Sequence, residues 1–467
     1  MEQIPTHIQA VATETQANIS SVLSQKRGFS RTYLFALALL VVGVALGSTS
    51  LSLPLHIAFA SGGAEEDGGE EVGLLAPRSI VAFYRPVTTA KPSTRGSHSA
   101  APSVVDPRVE RIEQRRARAA EQASSSSLEN TLASSSSSTG RAPTVHAGVY
   151  LTGPSVGRRP FLEDTLTALG ESNGDAIVFD VKGSFVYFHA NAPIAEELNL
   201  KRPLYELPDI LAFAHERGIY TIGRFIAIKD EGFTTAMPEA RMRNPKTGTV
   251  LSYNWIDPMH GAAIDYNMQV LCELASSGID EVNLDYIRFS TADVGALRIL
   301  SGQEKADRVE VFLRAARDTI NRCGPQTKLG ISTYAILGWS YQTNLETLGQ
   351  DVVRFAPLVD IISPMAYPAT FAANAYYNPA KHPVSRMYYL VFRTIQGYAE
   401  LLGPDHAHKL RPWIQGYGVT VKNMQDQMRA VYDAGACGFT VWNANNAYAP
   451  TYAAMKTREV PERCKVP

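Results

Sequence analysis

From residue 144 onward the chain alternates two hydrophobic rhythms. Short runs of aliphatic and aromatic residues alternate with longer stretches whose apolar positions recur every three or four residues. The first pattern predicts buried strands, the second amphipathic helices packed on them. Strands are predicted at residues 146–151, 176–181, 220–227, 281–284, 328–332, 359–363, 410–414 and 438–441. Helices are predicted at 159–169, 205–217, 261–277, 303–322, 345–355, 384–402, 422–434 and 450–458. A long insertion with the turn Asn244-Pro245-Lys246-Thr247-Gly248 separates the third strand from its helix. Eight βα units predict a (β/α)8 barrel. A doubly wound open sheet is the alternative. The three glycines between Gly148 and Gly157 do not fit a dinucleotide-binding loop, which weakens a nucleotide-binding version.

The first 143 residues follow neither rhythm. Lys26, Arg27 and Arg31 precede an uncharged run, residues 32–55, whose centre from Leu34 to Leu46 is strongly apolar. That run is long enough to span a bilayer, with the basic flank inside. It predicts a cytoplasmic tail at 1–31, a signal-anchor at 32–55, and everything beyond outside the cytoplasm. Cleavage after Ala58-Phe59-Ala60, giving a secreted protein, is the rival reading. Residues 56–143 hold acidic glycine-rich stretches and two serine runs, with few aromatics. Such a segment buries too little apolar surface to offset ordering entropy, and predicts a disordered linker. The barrel domain then covers 144–467.

Composition adds exclusions. The net charge is −1, which points to no nucleic-acid partner. Four cysteines, Cys272, Cys323, Cys437 and Cys464, lack metal-ligand spacing, and the histidines are scattered, so neither metal nor cofactor is expected. Outside the cytoplasm disulfides are permitted. Cys437 opens the eighth strand and Cys464 follows the last helix, so both lie near the barrel bottom and can pair; four free thiols are the alternative.

Parallel strands bring their C-terminal ends to one rim. There the sequence places Asp180 and Lys182, Asp230 and Glu231, Asp285 and Arg288, Tyr334, Tyr367, Gln415, and Trp442 with Asn445. Tyr253, Trp255 and Asp257 lie in the insertion, an over-long loop of the kind that shapes a site. Carboxylates and amides bond sugar hydroxyls while aromatic faces stack on pyranose C–H surfaces. Paired carboxylates can cleave a glycosidic bond through an oxocarbenium-like state. Asp180 with Lys182 is also readable as a structural ion pair on one strand face.

Several motifs, in order and spacing, resemble a bacterial family of glycoside-hydrolase-like domains formerly classed as a domain of unknown function. They are Asp180-Val181-Lys182, Arg224 with Lys229-Asp230, Trp255-Ile256-Asp257-Pro258, Asp265-Tyr266-Asn267, and the run from Asp280 to Phe289. The likeness extends from about Val145 to Tyr448 and implies a TIM-barrel sugar-cleaving enzyme, secreted or membrane-tethered. Gly183 and Ser290 replace an acid and a proline of the family pattern. Strands four, six and eight are more remotely similar to chitinase-type barrels. Ile287 stands where those carry their catalytic Glu, which argues against substrate-assisted chemistry.

The expected roles follow. Asp285 is the nucleophile or charge stabiliser. The proton donor is Asp230 first, then Asp180 or Glu231. Lys182 and Arg288 hold the carboxylates ionised. Tyr253, Trp255, Asp257, Tyr334, Tyr367, Gln415, Trp442 and Asn445 contact substrate. Two functions remain open at this point: a cell-surface glycosidase acting on a polysaccharide, and a barrel that binds glycan without cleaving it.

Overall fold

The computed structural model describes residues 145–292 and 294–465. The expected tail, anchor and linker lie outside the described residues. Among those described, no helix is long and apolar enough to cross a membrane.

Eight parallel strands close into a barrel in sequence order: β1 (Ala147–Leu151), β2 (Ala176–Lys182), β3 (Tyr220–Ile226), β4 (Glu281–Asp285), β5 (Lys328–Tyr334), β6 (Ile361–Ala366), β7 (Trp413–Gln415) and β8 (Phe439–Trp442). Strand β8 pairs back onto β1 through Ala147 and Phe439, so no edge is left open. The principal outer helices are α1 (Arg159–Glu171), α2 (Leu207–His215), α3 (Gly261–Ser276), α4 (Gly302–Cys323), α5 (Tyr341–Leu348), α6 (Arg386–His406), α7 (Val421–Asp433) and α8 (Ala449–Lys456). The barrel expectation therefore holds, with boundaries shifted by a few residues. The fifth helical stretch is broken rather than continuous: Gly349 takes a left-handed φ of 64° after α5, and Asp351 caps a new turn by accepting from the Arg354 amide.

Side-chain alternation divides the core in two. Val149, Ile177, Phe179, Val181 and Phe225 face the helices. Tyr150, Val178, Ile222 and Trp413 fill the barrel interior. Strand β4 shows the layering along one line. Glu281 at the bottom makes a two-pronged pair with Arg411, at 2.7 and 2.6 Å, both fully buried. Asn283 above it accepts from Ser332 Oγ at 2.6 Å, and Trp413 Nε1 donates to the same hydroxyl at 2.9 Å. Gly330 leaves room for both polar groups: a Cβ there would lie 2.7 Å from Glu281 Oε1 and 2.8 Å from Asn283 Nδ2. Asp285 ends the line at the upper rim.

All four cysteines are paired. Cys437–Cys464 joins the start of β8 to the segment after α8, as the sequence allowed. Cys272–Cys323, unforeseen, ties α3 to α4, neighbours packed side by side.

Candidate active site

At the rim one arginine gathers two carboxylates. Asp180 and Arg224 are register partners on β2 and β3, and Asp285 ends β4 beside Ile226. All three point inward. Arg224 Nη1 donates to Asp180 Oδ1 at 2.8 Å, while Nε and Nη2 both reach Asp285 Oδ2 at 2.8 Å. Burial alone would lower the Arg224 guanidinium, but Asp285 and then Asp180 hold it well above its ordinary value. Tyr150, inward on β1, donates its hydroxyl to Asp180 Oδ2 at 2.5 Å. Asp285 Oδ1 accepts the Tyr286 amide at 2.7 Å. Tyr286 itself is left-handed, φ 52°, a conformation that costs a non-glycine residue on the order of 1–3 kcal/mol.

An aromatic wall stands opposite. Trp442 stacks on Tyr367 with centroids 5.7 Å apart and on Tyr150 at 6.4 Å, and Tyr417 meets its edge at 5.4 Å. Trp442 and Tyr367 are half-buried, which leaves part of each ring to a ligand. Burial, and then the nearby Asp285 charge, push the Tyr367 hydroxyl well up. It therefore stays a neutral donor. Trp413, by contrast, lies inside the barrel.

The other expected residues divide. Lys182 does not share a face with Asp180. The β2–β3 register slips between them: Asp180 opposes Arg224, but Lys182 opposes the next residue, Phe225. This bulge turns Lys182 outward. There it meets Asp230 at 2.7 Å, both side chains wholly buried, and donates to the Ile226 carbonyl at 2.8 Å. Asp230 also caps the short helix Glu231–Ala236 by accepting from the Phe233 amide at 2.8 Å. Burial lowers Lys182 and raises Asp230, each toward its neutral form. Asp230 thus holds the frame beneath the rim and has no access to a substrate. The expected first choice of proton donor is corrected on that ground. Lys182 likewise steadies Asp230, not the rim carboxylates.

Glu231 is exposed on the first turn of the capped helix. Asp257 pairs with Arg308 Nη1 at 3.3 Å and accepts from the Met259 amide at 3.0 Å, a structural use. Trp255 is buried with its edge against Tyr286, 5.8 Å between centroids. The Arg288 guanidinium lies 4.9 Å from the Trp255 ring, 5.2 Å from Tyr286 and 4.4 Å from Tyr334. Tyr253 is 67% exposed, with Arg241 over its ring at 5.2 Å. Gln415 spends its amide on backbone: Oε1 accepts from Ala369 and Nε2 donates to Tyr417 O, pinning the loops after β6 and β7. Asn445 is an exposed turn residue. Its neighbour Asn446 is buried in a left-handed conformation and bonds the end of β1.

Arg224, Tyr150, Tyr417 and Asn446 were not named as site residues from the sequence. Arg224 did leave a signal, being a charged residue in the middle of the apolar run Tyr220-Thr221-Ile222-Gly223-Arg224-Phe225-Ile226. Among the described residues no cluster of three or more His, Cys, Asp or Glu is arranged to hold a metal ion.

Residues 148–448 match a family described as "Putative glycosyl hydrolase domain". No curated protein matches the chain significantly. Similar solved structures include a hypothetical protein from Ruminiclostridium thermocellum, 26% identical over 39% of this chain and 96% of that one, with a TM-score of 0.34. A β-galactosidase from the psychrophilic Marinomonas ef1 is 11% identical over 68% of this chain and 58% of that one, with a TM-score of 0.47. An α-galactosidase from Thermus thermophilus is 14% identical over 69% of this chain and 64% of that one, with a TM-score of 0.42. The matched region spans less than two thirds of either galactosidase.

Proposed function

The chain belongs to the putative glycosyl hydrolase domain family, and from that premise we propose that its barrel cleaves glycosidic bonds in a polysaccharide outside the cytoplasm. The observation that carries this reading is the Asp180–Arg224–Asp285 cluster facing an aromatic wall on the rim. Two carboxylates and one guanidinium carry a net charge of −1, so the cluster has room for one exchangeable proton. Donor chemistry says where it goes. Among the described residues Asp285 is bonded only by N–H groups, which cannot accept a hydrogen bond. Asp180 is bonded by the Tyr150 hydroxyl, which can turn and accept one. We therefore assign the proton donor to Asp180 and the charge-facing carboxylate to Asp285. The bond from the anomeric carbon to the glycosidic oxygen breaks. The Asp180 proton passes to the departing oxygen. Water supplies the new hydroxyl and returns a proton to Asp180, while Asp285 faces the oxocarbenium-like charge. Arg224 holds both acids in place and Trp442 and Tyr367 offer a face to the sugar ring.

The extracytoplasmic placement, through the predicted anchor at 32–55, is supported by the basic flank before it. The two disulfides also suit an oxidising compartment. Protease added to intact cells should then remove the barrel, and protection of the barrel with the outer compartment open would refute this placement.

The enzymatic test is release of reducing ends from a panel of polysaccharides by the full chain. Asp285→Asn should lower that rate by at least ~10³-fold, as for loss of a main electrostatic group, with the fold retained because Asp180 still pairs with Arg224. Retention of most activity in Asp285→Asn would sink the assignment. Polysaccharide binding with no release of reducing ends would favour the glycan-binding reading instead.

A further inference from the structure

We infer that the rim beside Asp285 is built to receive an anionic sugar, so that the substrate is a polysaccharide bearing carboxylate or sulfate groups. This deepens the glycosidase reading and rests on its placing of the sugar cleft.

The whole chain is close to neutral, at −1, and gives no hint of this. Four carboxylates on this side of the rim already have cation partners. Asp180 and Asp285 are taken by Arg224, Asp230 by Lys182, and Asp257 by Arg308. Lys229 is left over. It is half-buried, and among the described residues no carboxylate lies within 4.0 Å of its ammonium. Its backbone bridges to Trp255 in antiparallel fashion, so the two side chains share a face. That is the face on which Trp255 meets Tyr286. Lys229 Nζ accordingly stands 5.0 Å from the Tyr286 ring centroid, with the Arg288 guanidinium 5.2 Å from the same ring. Tyr286 is the residue whose amide grips Asp285. The two cations are thus one residue away from the proposed chemistry.

The next position outward repeats the arrangement. Tyr253 is largely exposed and lies two residues before Trp255 in the same insertion. Arg241 lies over its ring, donating Nε to the Thr234 carbonyl. Like Lys229, Arg241 has no carboxylate partner among the described residues.

Taking a cation partly out of water without a counter-ion is unfavourable, and an aromatic face offsets only part of that loss. A neutral sugar would need hydroxyl-bonding amides and carboxylates here. What the rim offers is the half-buried Tyr286 ring and the exposed Tyr253 ring, each with a cation beside it. A ring carboxylate or sulfate accepting from Lys229 would give that cation a counter-charge while its pyranose rests on an aromatic face.

The test uses the full-length chain with Asp285→Asn, so that binding is read without turnover. The probes are polygalacturonate and its methyl ester, and a sulfated galactan and its desulfated form, titrated calorimetrically at low and high salt. At least one charged polymer should bind about tenfold more tightly than its neutralised form, with the difference shrinking in salt. The carboxylate and sulfate arms decide which anion is read. Lys229→Gln in the same background should abolish most of that preference, and Lys229→Arg should restore it. Equal binding of charged and neutralised forms, absence of charge-dependent binding to any probe, or a preference untouched by Lys229→Gln would each overturn the inference. Charge-dependent binding by a wild-type chain that releases no reducing ends would support the anion site and sink the glycosidase reading. Hydrolysis confined to neutral polymers would do the reverse.

Discussion

Replacing Asp230 separates the frame of this site from its chemistry. Asp230→Asn keeps a side-chain oxygen that can cap the Phe233 amide but removes the charge facing Lys182. Both side chains have zero solvent exposure, so no water replaces the lost partner. Breaking such a pair by removing one charge costs about 3–5 kcal/mol. With an unfolding entropy of about 2.1 cal/mol/K per residue over a barrel of roughly 320 residues, the melting temperature should fall by about 4–7 °C. The loss has a pH signature. Burial already lowers Lys182, and without Asp230 its opposing carboxylate is gone. The folded variant then binds fewer protons than its unfolded chain below the ordinary lysine value near ~10.4, so its stability should rise with pH toward that value. The double variant Lys182→Met/Asp230→Asn, with no buried charge, should recover most of the loss and lose the pH dependence. Melting followed by circular dichroism across pH, alongside reducing-end release well below the transition, measures all of this. Activity per folded molecule should stay within about tenfold of wild type, far from the ~10²–10⁴-fold deficit of a lost general acid. A variant that melted like wild type yet lost activity by that larger factor would refute the reasoning and return Asp230 to the role of proton donor.

Further outcomes can be stated for other parts of the molecule. Tyr150→Phe removes the hydroxyl that bonds Asp180 and should lower kcat/KM by about 10–100-fold while displacing the alkaline limb of the pH–rate profile; an unaltered profile would exclude Asp180 as the donor. Asp360 is lowered from its ordinary value: burial alone would raise it, but the Leu329 amide and Arg317 more than offset that. Its stabilisation is therefore present above the unfolded value near ~3.9 and lost as pH falls through the lower folded value. Asp360→Asn should be less stable at neutral pH and lose less on acidification, which melting curves across the acid range would check. Opening either disulfide should destabilise the barrel by about 3–4 kcal/mol on loop-closure grounds, slightly more for Cys272–Cys323, whose span of 51 residues exceeds the 27 of Cys437–Cys464. Cys272→Ala and Cys464→Ala melted beside wild type would test the order.

The sequence by itself determined the architecture and the address of the candidate site. Eight apolar runs at strand length, each followed by a helical period, admit few arrangements, and parallel closure sends every strand's end to one rim. Asp285 at the end of β4 and Trp442 at the end of β8 were legible for that reason, because their position along a strand decides their height in the barrel. The broken fifth helix was less so, since its apolar spacing continues across Gly349 while the backbone does not. What only the tertiary structure decided is which charge meets which. Period-two alternation puts Asp180 and Lys182 on one face, but a bulge adds half a repeat between them and sends Lys182 to the opposite side of the sheet. That one local slip separates two ion pairs. Asp230 follows Lys182 into the layer beneath the helices, and Arg224, a residue of another strand, takes Lys182's expected place between Asp180 and Asp285. Partner choice of this kind depends on register between strands, which hydrogen bonds across the sheet set and the linear order of side chains does not encode.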